Sequence, residues 1–540
     1  MSMRRSWRNA AIALFILALA LGGLLGDRLL AVTDEARDSL RLYTELINVA
    51  HERYGAEVSY KDLVYSSVNG MLRTLDPHTT FLSPEAYEGM REKQQTSFYG
   101  LGILVGVRNG QLTVISPIDG TPASRMGIQA GDVISTIEGE ATDTLSLDEA
   151  VGKLKGPKGT QVKITIVRRG LDEPLAMSVT RAEIPQTTVR QAYMLNPTTG
   201  YILITEFSRG TGREVADAID KLKKDGMKQL VVDVRNNGGG LLDQAIEVAD
   251  QFLPEESVIV ETKGRTRDSF QSYKASGKYP ALDVPVVVLV NEGTASASEI
   301  LAGALQDHDR AMIIGTPSWG KGLVQTVYNL SYGAGLALTT AKYYTPSGRL
   351  IQRDYTSYFD YYTHADAGSP ELTGKTVSDD EIFHTDLGRK VYGGGGITPD
   401  VLIKEEELSQ FEQFLLSRNA YLNFALDYAK RNKVTTDWKP DQAKVIEELR
   451  QWLVKEKFAT AEQVAEGLAQ QAARDGSLLQ IRAELLNTVA GQEARHRTLS
   501  EGDQQLQQAL NLFGQAATML AQRRELGPTV ERGTSPKGKV

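Results

Sequence analysis

The feature that most restricts the fold of this chain is a series of apolar strand-like segments alternating with helical ones. YILITEF (201–207), QLVVDV (229–234), VIVET (258–262), VPVVVLV (284–290) and AMIIGT (311–316) are apolar at nearly every position, not at every second one. Strands of that kind are buried on both faces, and helices between them make the sheet mainly parallel. Residues 185–404 are therefore expected to form an α/β core within a multidomain α/β chain. Inside it, after LALTTAKYYTPSGRLIQ and before GGGGITPDV, residues 353–392 are polar, aromatic-rich and aperiodic, and read as an insertion with no assigned function.

The flanks have other textures. Residues 33–95 show apolar spacing of three to four, broken at Asp76–Pro77, and predict a helical leader. Residues 96–184 contain short β-type runs (LTVISPI, DVISTIEG, QVKITIVRRG) punctuated by Gly and Pro, with one helical stretch, SLDEAVGKLK, and predict a compact, mostly β module. Residues 405–526 are rich in Gln, Ala, Glu, Leu and Arg and read as a helical support or oligomerisation region, so a homo-oligomer is one expectation; 527–540 read as a disordered tail. At the other end, Arg4, Arg5 and Arg8 precede an uncharged apolar run from Ala10 to Gly26. Residues 1–32 thus read equally as a signal peptide or a membrane anchor, and the rest as extracytoplasmic, in the periplasm or cell envelope.

The chain has no cysteine, which excludes a thiol nucleophile, a disulfide framework and a thiolate metal site. Its six histidines are scattered without an HExxH pair, so no metal is expected, and no cofactor motif is present. A net charge of −8 offers no basic face for nucleic acid. Hydroxyl, carboxylate and lysine chemistry remain.

In VPVVVLVNEGTASASEILAGALQD a buried strand runs through a tight turn into a helix, placing Ser296 at the helix start beside unpaired backbone N–H groups that suit an oxyanion. On this segment alone, Thr294, Ser296 and Ser298 read as well as helix caps. A serine hydroxyl needs a base. His308 fails, lying about 18 Å along the helix at 1.5 Å per residue, and the G-x-S-x-G elbow is absent. Lys321, between Gly320 and Gly322 in IIGTPSWGKGLVQTV, is the remaining candidate: burial depresses a lysine pKa, and a neutral amine deprotonates serine. Gln325 is placed to orient that amine. The alternative is a solvated turn lysine. A rival pairing, Ser318 and Lys321 as the S-x-x-K of penicillin-recognising enzymes, requires a helix that TPSWGKG forms poorly.

Together NEGTASASEILAGALQD and GTPSWGKGLVQ, 25 residues from Ser296 to Lys321, resemble the carboxy-terminal processing peptidases, tail-specific serine proteases with a Ser–Lys dyad. VVDVRNNGGGLLDQAIEVADQFL, AKYYTPSGRLIQ, GITPDV and LDPHTTFLSP belong to the same resemblance. It implies a crotonase-like β/α core and an acyl-enzyme mechanism without cofactor: Ser296 as nucleophile, Lys321 as base, Gln325 positioning the lysine, and oxyanion N–H groups from Ala297 and Gly239. The β module resembles a PDZ domain, with Gly100, Leu101 and Gly102 of FYGLGILV binding a terminal carboxylate. The implied partners are exported proteins with apolar C-terminal tails. The alternative is a non-catalytic PDZ scaffold binding such tails. Thr294 in a position often serine, the insertion and the long C-terminal extension depart from the family pattern.

Overall fold

The computed structural model describes residues 34–527, apart from 96, 109, 119, 169, 358–360, 362, 364–380, 406 and 440. The apolar run 10–26 and the tail after Gly527 lie outside them. Among the described residues no helix is long and apolar enough to cross a membrane.

The leader comprises α1 (Asp34–Arg53), α2 (Tyr60–Leu72), β1 (Thr80–Leu82) and α3 (Pro84–Lys93). Ser59 and Ser83 cap α2 and α3, each accepting a backbone N–H from three residues on. The turn at Asp76 leads into β1, which pairs with a strand of the core, so the leader is tied to the core by backbone bonds.

The β module follows as β2 (Ser97–Gly100), β3 (Ile103–Arg108), β4 (Gln111–Pro117), α4 (Pro122–Arg125), β5 (Val133–Ile137), β6 (Glu140–Ala141), α5 (Leu147–Leu154), β7 (Gln161–Val167), β8 (Leu175–Thr180) and β9 (Ala182–Pro185). β2 pairs with β9 and closes the module, whose sheet runs β3-β4-β5-β7-β8. Among the described residues strand β3 pairs only with β4, leaving one edge open. A capping box between Ser146 and Glu149 starts α5.

In the core, β10 (Val189–Met194), β11 (Thr199–Ile204), α6 (Thr211–Lys224), β12 (Gln229–Asp233), α7 (Leu242–Asp250), β13 (Val258–Gly264), β14 (Gln271–Lys274), β15 (Val286–Val290), α8 (Ala297–Asp307), β16 (Met312–Gly315), β17 (Leu323–Asn329) and β18 (Gly335–Tyr344) follow in order. The insertion ends in a hairpin, β19 (Ile382–His384) with β20 (Lys390–Tyr392), before β21 (Val401–Leu402). The main sheet is β10-β11-β12-β15-β16-β21, parallel except for β10. VIVET does not join it: β13 enters a second, antiparallel sheet, β1-β18-β13-β14, to which β17 also pairs. The described end of residues 353–392 is thus regular, and Arg389 locks the hairpin to Asp309 and Asp400.

Among the described residues seven helices follow: α9 (Gln410–Ser417), α10 (Ala420–Arg431), α11 (Gln442–Lys455), α12 (Ala461–Gly467), α13 (Gln471–Ser500), α14 (Gln504–Asn511) and α15 (Phe513–Glu525). Residues 410–485 build their own core around Phe424, Leu449, Leu453 and Ile481. The last two helices do something else. Leu230, Val232, Val286 and Val288 point to one face of the main sheet, packed by α6 to α8. Val231, Val287, Leu289 and Ile314 point to the other, where Leu506, Ala509, Phe513, Ala516 and Met519 cover them. The C-terminal helices are thus the second outer layer of an α/β/α core, as doubly apolar strands require.

Candidate active site

Ser296 stands where β15 has ended and α8 begins. Its backbone holds φ +56° and ψ −116°, a sparsely populated conformation for a residue with a side chain, costing on the order of 1–3 kcal/mol. Such strain at a sharp strand-to-helix turn gathers at functional positions, and here it arises between two alanines without the flanking glycines of G-x-S-x-G. Its neighbours are committed elsewhere: Thr294 bridges Asn291 N–H and the Val234 carbonyl, and Ser298 donates to the Asn237 carbonyl.

One buried carboxylate organises the surroundings. Glu299, in the first turn of α8, accepts Ser296 N–H at 2.8 Å and Lys321 N–H at 2.9 Å on Oε2, and Gly320 N–H at 2.7 Å and the Ser318 hydroxyl at 2.5 Å on Oε1. Since a single oxygen holds both N–H groups, at 2.8 and 2.9 Å, the Ser296 and Lys321 nitrogens lie within 5.7 Å of each other. Ser318 accepts Ile397 N–H at 2.7 Å, so its own proton goes to Glu299. All four partners therefore donate, the pattern of an ionised carboxylate, although burial pushes the Glu299 pKa up. The Tyr343 hydroxyl adds a second bridge, donating to the Lys321 carbonyl and lying 3.2 Å from that of Ser296.

Lys321 Nζ donates to Gln325 Oε1 at 2.9 Å, and Gln325 Nε2 donates to the His78 carbonyl at 2.7 Å. Because the amide nitrogen is spent on a carbonyl, its oxygen must face the lysine. The leader thus sets the orientation of a core residue. Asp76 fixes that turn by accepting His78 N–H and Thr79 N–H, both at 2.8 Å, and the Thr79 hydroxyl at 2.6 Å. Burial holds the Lys321 pKa below the usual lysine value, with Glu299 and Asp76 opposing.

On the opposite wall, the turn of RNNGGG approaches so closely that a Cβ at Gly239 would sit 2.7 Å from Ser296 Cβ and 2.8 Å from Ala297 N, and its φ of +97° also demands glycine. Ala297 N–H has no partner among the described residues. Gly239 N–H, expected from sequence to be free, is bonded to Asn237 Oδ1 at 2.9 Å. For Gly239 to serve as donor, an oxyanion has to displace that amide, and Gly238 N–H, without a partner among the described residues, competes for the role.

The other sequence candidates, except Ser318 on Glu299, lie apart. Gly100 ends β2 in register with Ala182, and Leu101 and Gly102 follow with N–H groups that have no partner among the described residues. His308 sits at the far end of α8, bonded to Asp386 and the Val258 carbonyl. Ser318 is fully buried in a loop, its hydroxyl occupied on both sides, which removes the S-x-x-K rival. A cavity of about 1210 Å³ lies between the main sheet and the C-terminal helices, lined by Asp233, Arg235, Glu405, Tyr421, His496 and Asp503, and not by Ser296 or Lys321. Sequence reading did not single out Glu299, Tyr343 or Asp76. The Ser-x-x-Glu capping pattern of 296–299 was the available signal for the first.

A model of peptidase family S41 matches residues 198–357, and a PDZ domain model matches residues 113–168. A carboxy-terminal-processing protease of Bartonella bacilliformis is 44% identical over 294 residues, covering 54% of this chain and 67% of the relative. The chain belongs to the carboxy-terminal-processing proteases of peptidase family S41. A carboxyl-terminal-processing protease of Synechocystis is 42% identical over 301 residues, 54% of this chain and 69% of that one. Among solved structures, a photosystem II D1 C-terminal processing protease is 28% identical, covers 69% of this chain and 94% of its own, and has a TM-score of 0.35. As a family member the chain is a serine-type peptidase with an S41 core and a PDZ domain, in keeping with the expected fold class.

Proposed function

We propose that Ser296 and Lys321 are the catalytic dyad of a peptidase that captures apolar C-terminal tails of exported proteins in its PDZ domain. Lys321 takes the Ser296 proton, the hydroxyl attacks the scissile carbonyl, and water resolves the acyl-enzyme. Gln325 aims the amine. Ala297 N–H at the start of α8, with one N–H from the Gly238–Gly239 turn, receives the oxyanion. The observation that carries this reading is the pair of N–H groups, Ser296 and Lys321, held on Glu299 Oε2 while Lys321 Nζ is bonded to Gln325.

Tail capture draws support from the open edge of β3, to which a peptide adds as a strand, and from the unpartnered Leu101 and Gly102 N–H groups at its start. Leu147, exposed, and Val151, half-buried, lie one turn apart on α5 and favour an apolar tail. Placement outside the cytoplasm rests on Arg4, Arg5 and Arg8 before the apolar run. The test is cleavage of a reporter with an apolar C-terminal tail by wild type, Ser296→Ala and Lys321→Ala. Loss of cutting in both folded variants is expected. A wild type that binds the tail without cutting refutes the catalytic reading in favour of the scaffold.

A further inference from the structure

We propose that Tyr361, carried by the insertion, is a positioning residue of the catalytic site: through His78 and Gln325 it holds Lys321 in its working orientation. This rests on the Ser296–Lys321 reading. Tyr361 is buried, and its hydroxyl lies 2.5 Å from His78 Nε2 and 3.2 Å from Trp319 Nε1. The hydroxyl oxygen accepts from Trp319 Nε1, which only donates, and from the Gln352 side chain, whose bond lowers the Tyr361 pKa, so with both lone pairs filled its one proton is left for His78 Nε2. His78 is then neutral, with its ring proton on Nδ1.

The same histidine gives its carbonyl to Gln325, and Gln325 gives its oxygen to Lys321. Trp319 stands two residues before Lys321, and its backbone N–H donates at 2.8 Å to the Thr294 carbonyl, two residues before Ser296. Trp319, Tyr361, His78, Gln325 and Lys321 therefore close a ring around the dyad, with the insertion supplying one member. Arg353 secures that member: its guanidinium donates to the Tyr361 carbonyl at 2.6 Å and stacks 5.3 Å from the Trp319 ring and 5.1 Å from the Tyr361 ring.

The charge state follows. His78 faces Asp76 on its own turn, Lys321 from the core, and Tyr361 with Arg353 and Tyr355 behind it. Burial first, then the Lys321 charge, pushes its pKa down to about 4 against the pull of Asp76. A hydroxyl proton bonded to Nε2 stabilises that neutral form, so no second cation arises beside the amine at working pH.

The test is Tyr361→Phe in the full-length chain, with histidine-ring 15N NMR beside kinetics on an apolar-tailed reporter. Wild type should keep His78 neutral and protonated on Nδ1 down to about pH 4. In Tyr361→Phe, burial and the Lys321 charge still hold the His78 pKa down, but the fixed Nδ1–H form should give way to a mixture of the two neutral tautomers, and kcat should fall roughly tenfold to a hundredfold with KM within about twofold, as expected when a positioned group loosens. Unchanged His78 signals overturn the proposal, whether or not kcat falls, because loss of packing alone lowers rate without moving the tautomer. A changed His78 with wild-type kcat overturns it as well. The Ser–Lys reading fails separately: if Ser296→Ala still cuts, the dyad is wrong, and the ring loses its catalytic role whatever His78 does.

Discussion

Replacing Glu299 by Gln leaves side-chain volume unchanged and alters only the hydrogen-bond arithmetic. The carboxylate accepts from four donors, two buried ones on Oε1 and two half-buried ones on Oε2. An amide turns one oxygen into an NH2, so two of those donors face another donor. Each buried group left unmatched costs about 1–3 kcal/mol, giving roughly 2–6 kcal/mol in all. In a core of this size that corresponds to a fall in Tm of roughly 5 °C or more. The substitution also removes a negative charge that raises the Lys321 pKa against the dominant effect of burial. With that support gone the pKa falls further, and the rising limb of the pH–rate profile should move to lower pH even as activity drops. Thermal unfolding and kcat/KM between pH 5 and 10 measure the two effects. A variant with wild-type Tm, or with the limb displaced to higher pH, refutes the assignment of Glu299 as the ionised clamp of the site.

Lys321→Met should abolish cleavage and raise Tm at neutral pH. The folded-state lysine pKa lies below its unfolded value, so burial costs stability while the amine must be protonated, and that cost vanishes as pH rises through the folded pKa toward the unfolded one; the gap between variant and wild type should therefore narrow toward alkaline pH. Phe513→Ala should destabilise the core by about 3–5 kcal/mol, read by denaturant unfolding, since it opens a cavity against the second face of the main sheet. A surface-like effect there would show that α14 and α15 are not part of the core.

The alternation of QLVVDV, VPVVVLV and AMIIGT was enough to read a doubly covered parallel sheet, because burial on both faces leaves a continuous apolar signature. It did not show which helices cover the second face: Leu506, Phe513 and Met519 carry the same helical spacing as residues packed only within 410–485. VIVET looked like one more core strand because short apolar runs do not encode their partners. The position of Ser296 at a helix start and the glycines beside Lys321 were legible locally. The contacts that join them were not. Glu299 reaches across to residues 318–321, and Gln325 depends on a carbonyl in the leader, pairings separated by 19 and 247 residues. The described parts of residues 353–392 looked featureless because they are held by Arg353 stacking on Trp319 and Arg389 bonding Asp309, not by periodicity.

The layer formed by α14 and α15 also sets when the main sheet can be completed. A chain made from its N-terminus offers β11 and β12 long before Leu506 to Met519 exist, and until those residues arrive one side of the sheet that carries the RNNGGG turn is bare. Arg235, next to that turn, is likewise gripped by Asp503 and Gln505 only once that later part of the chain has been made. Because α14 and α15 follow in the chain the strands they cover, the last step in folding this sheet waits until those helices have been made.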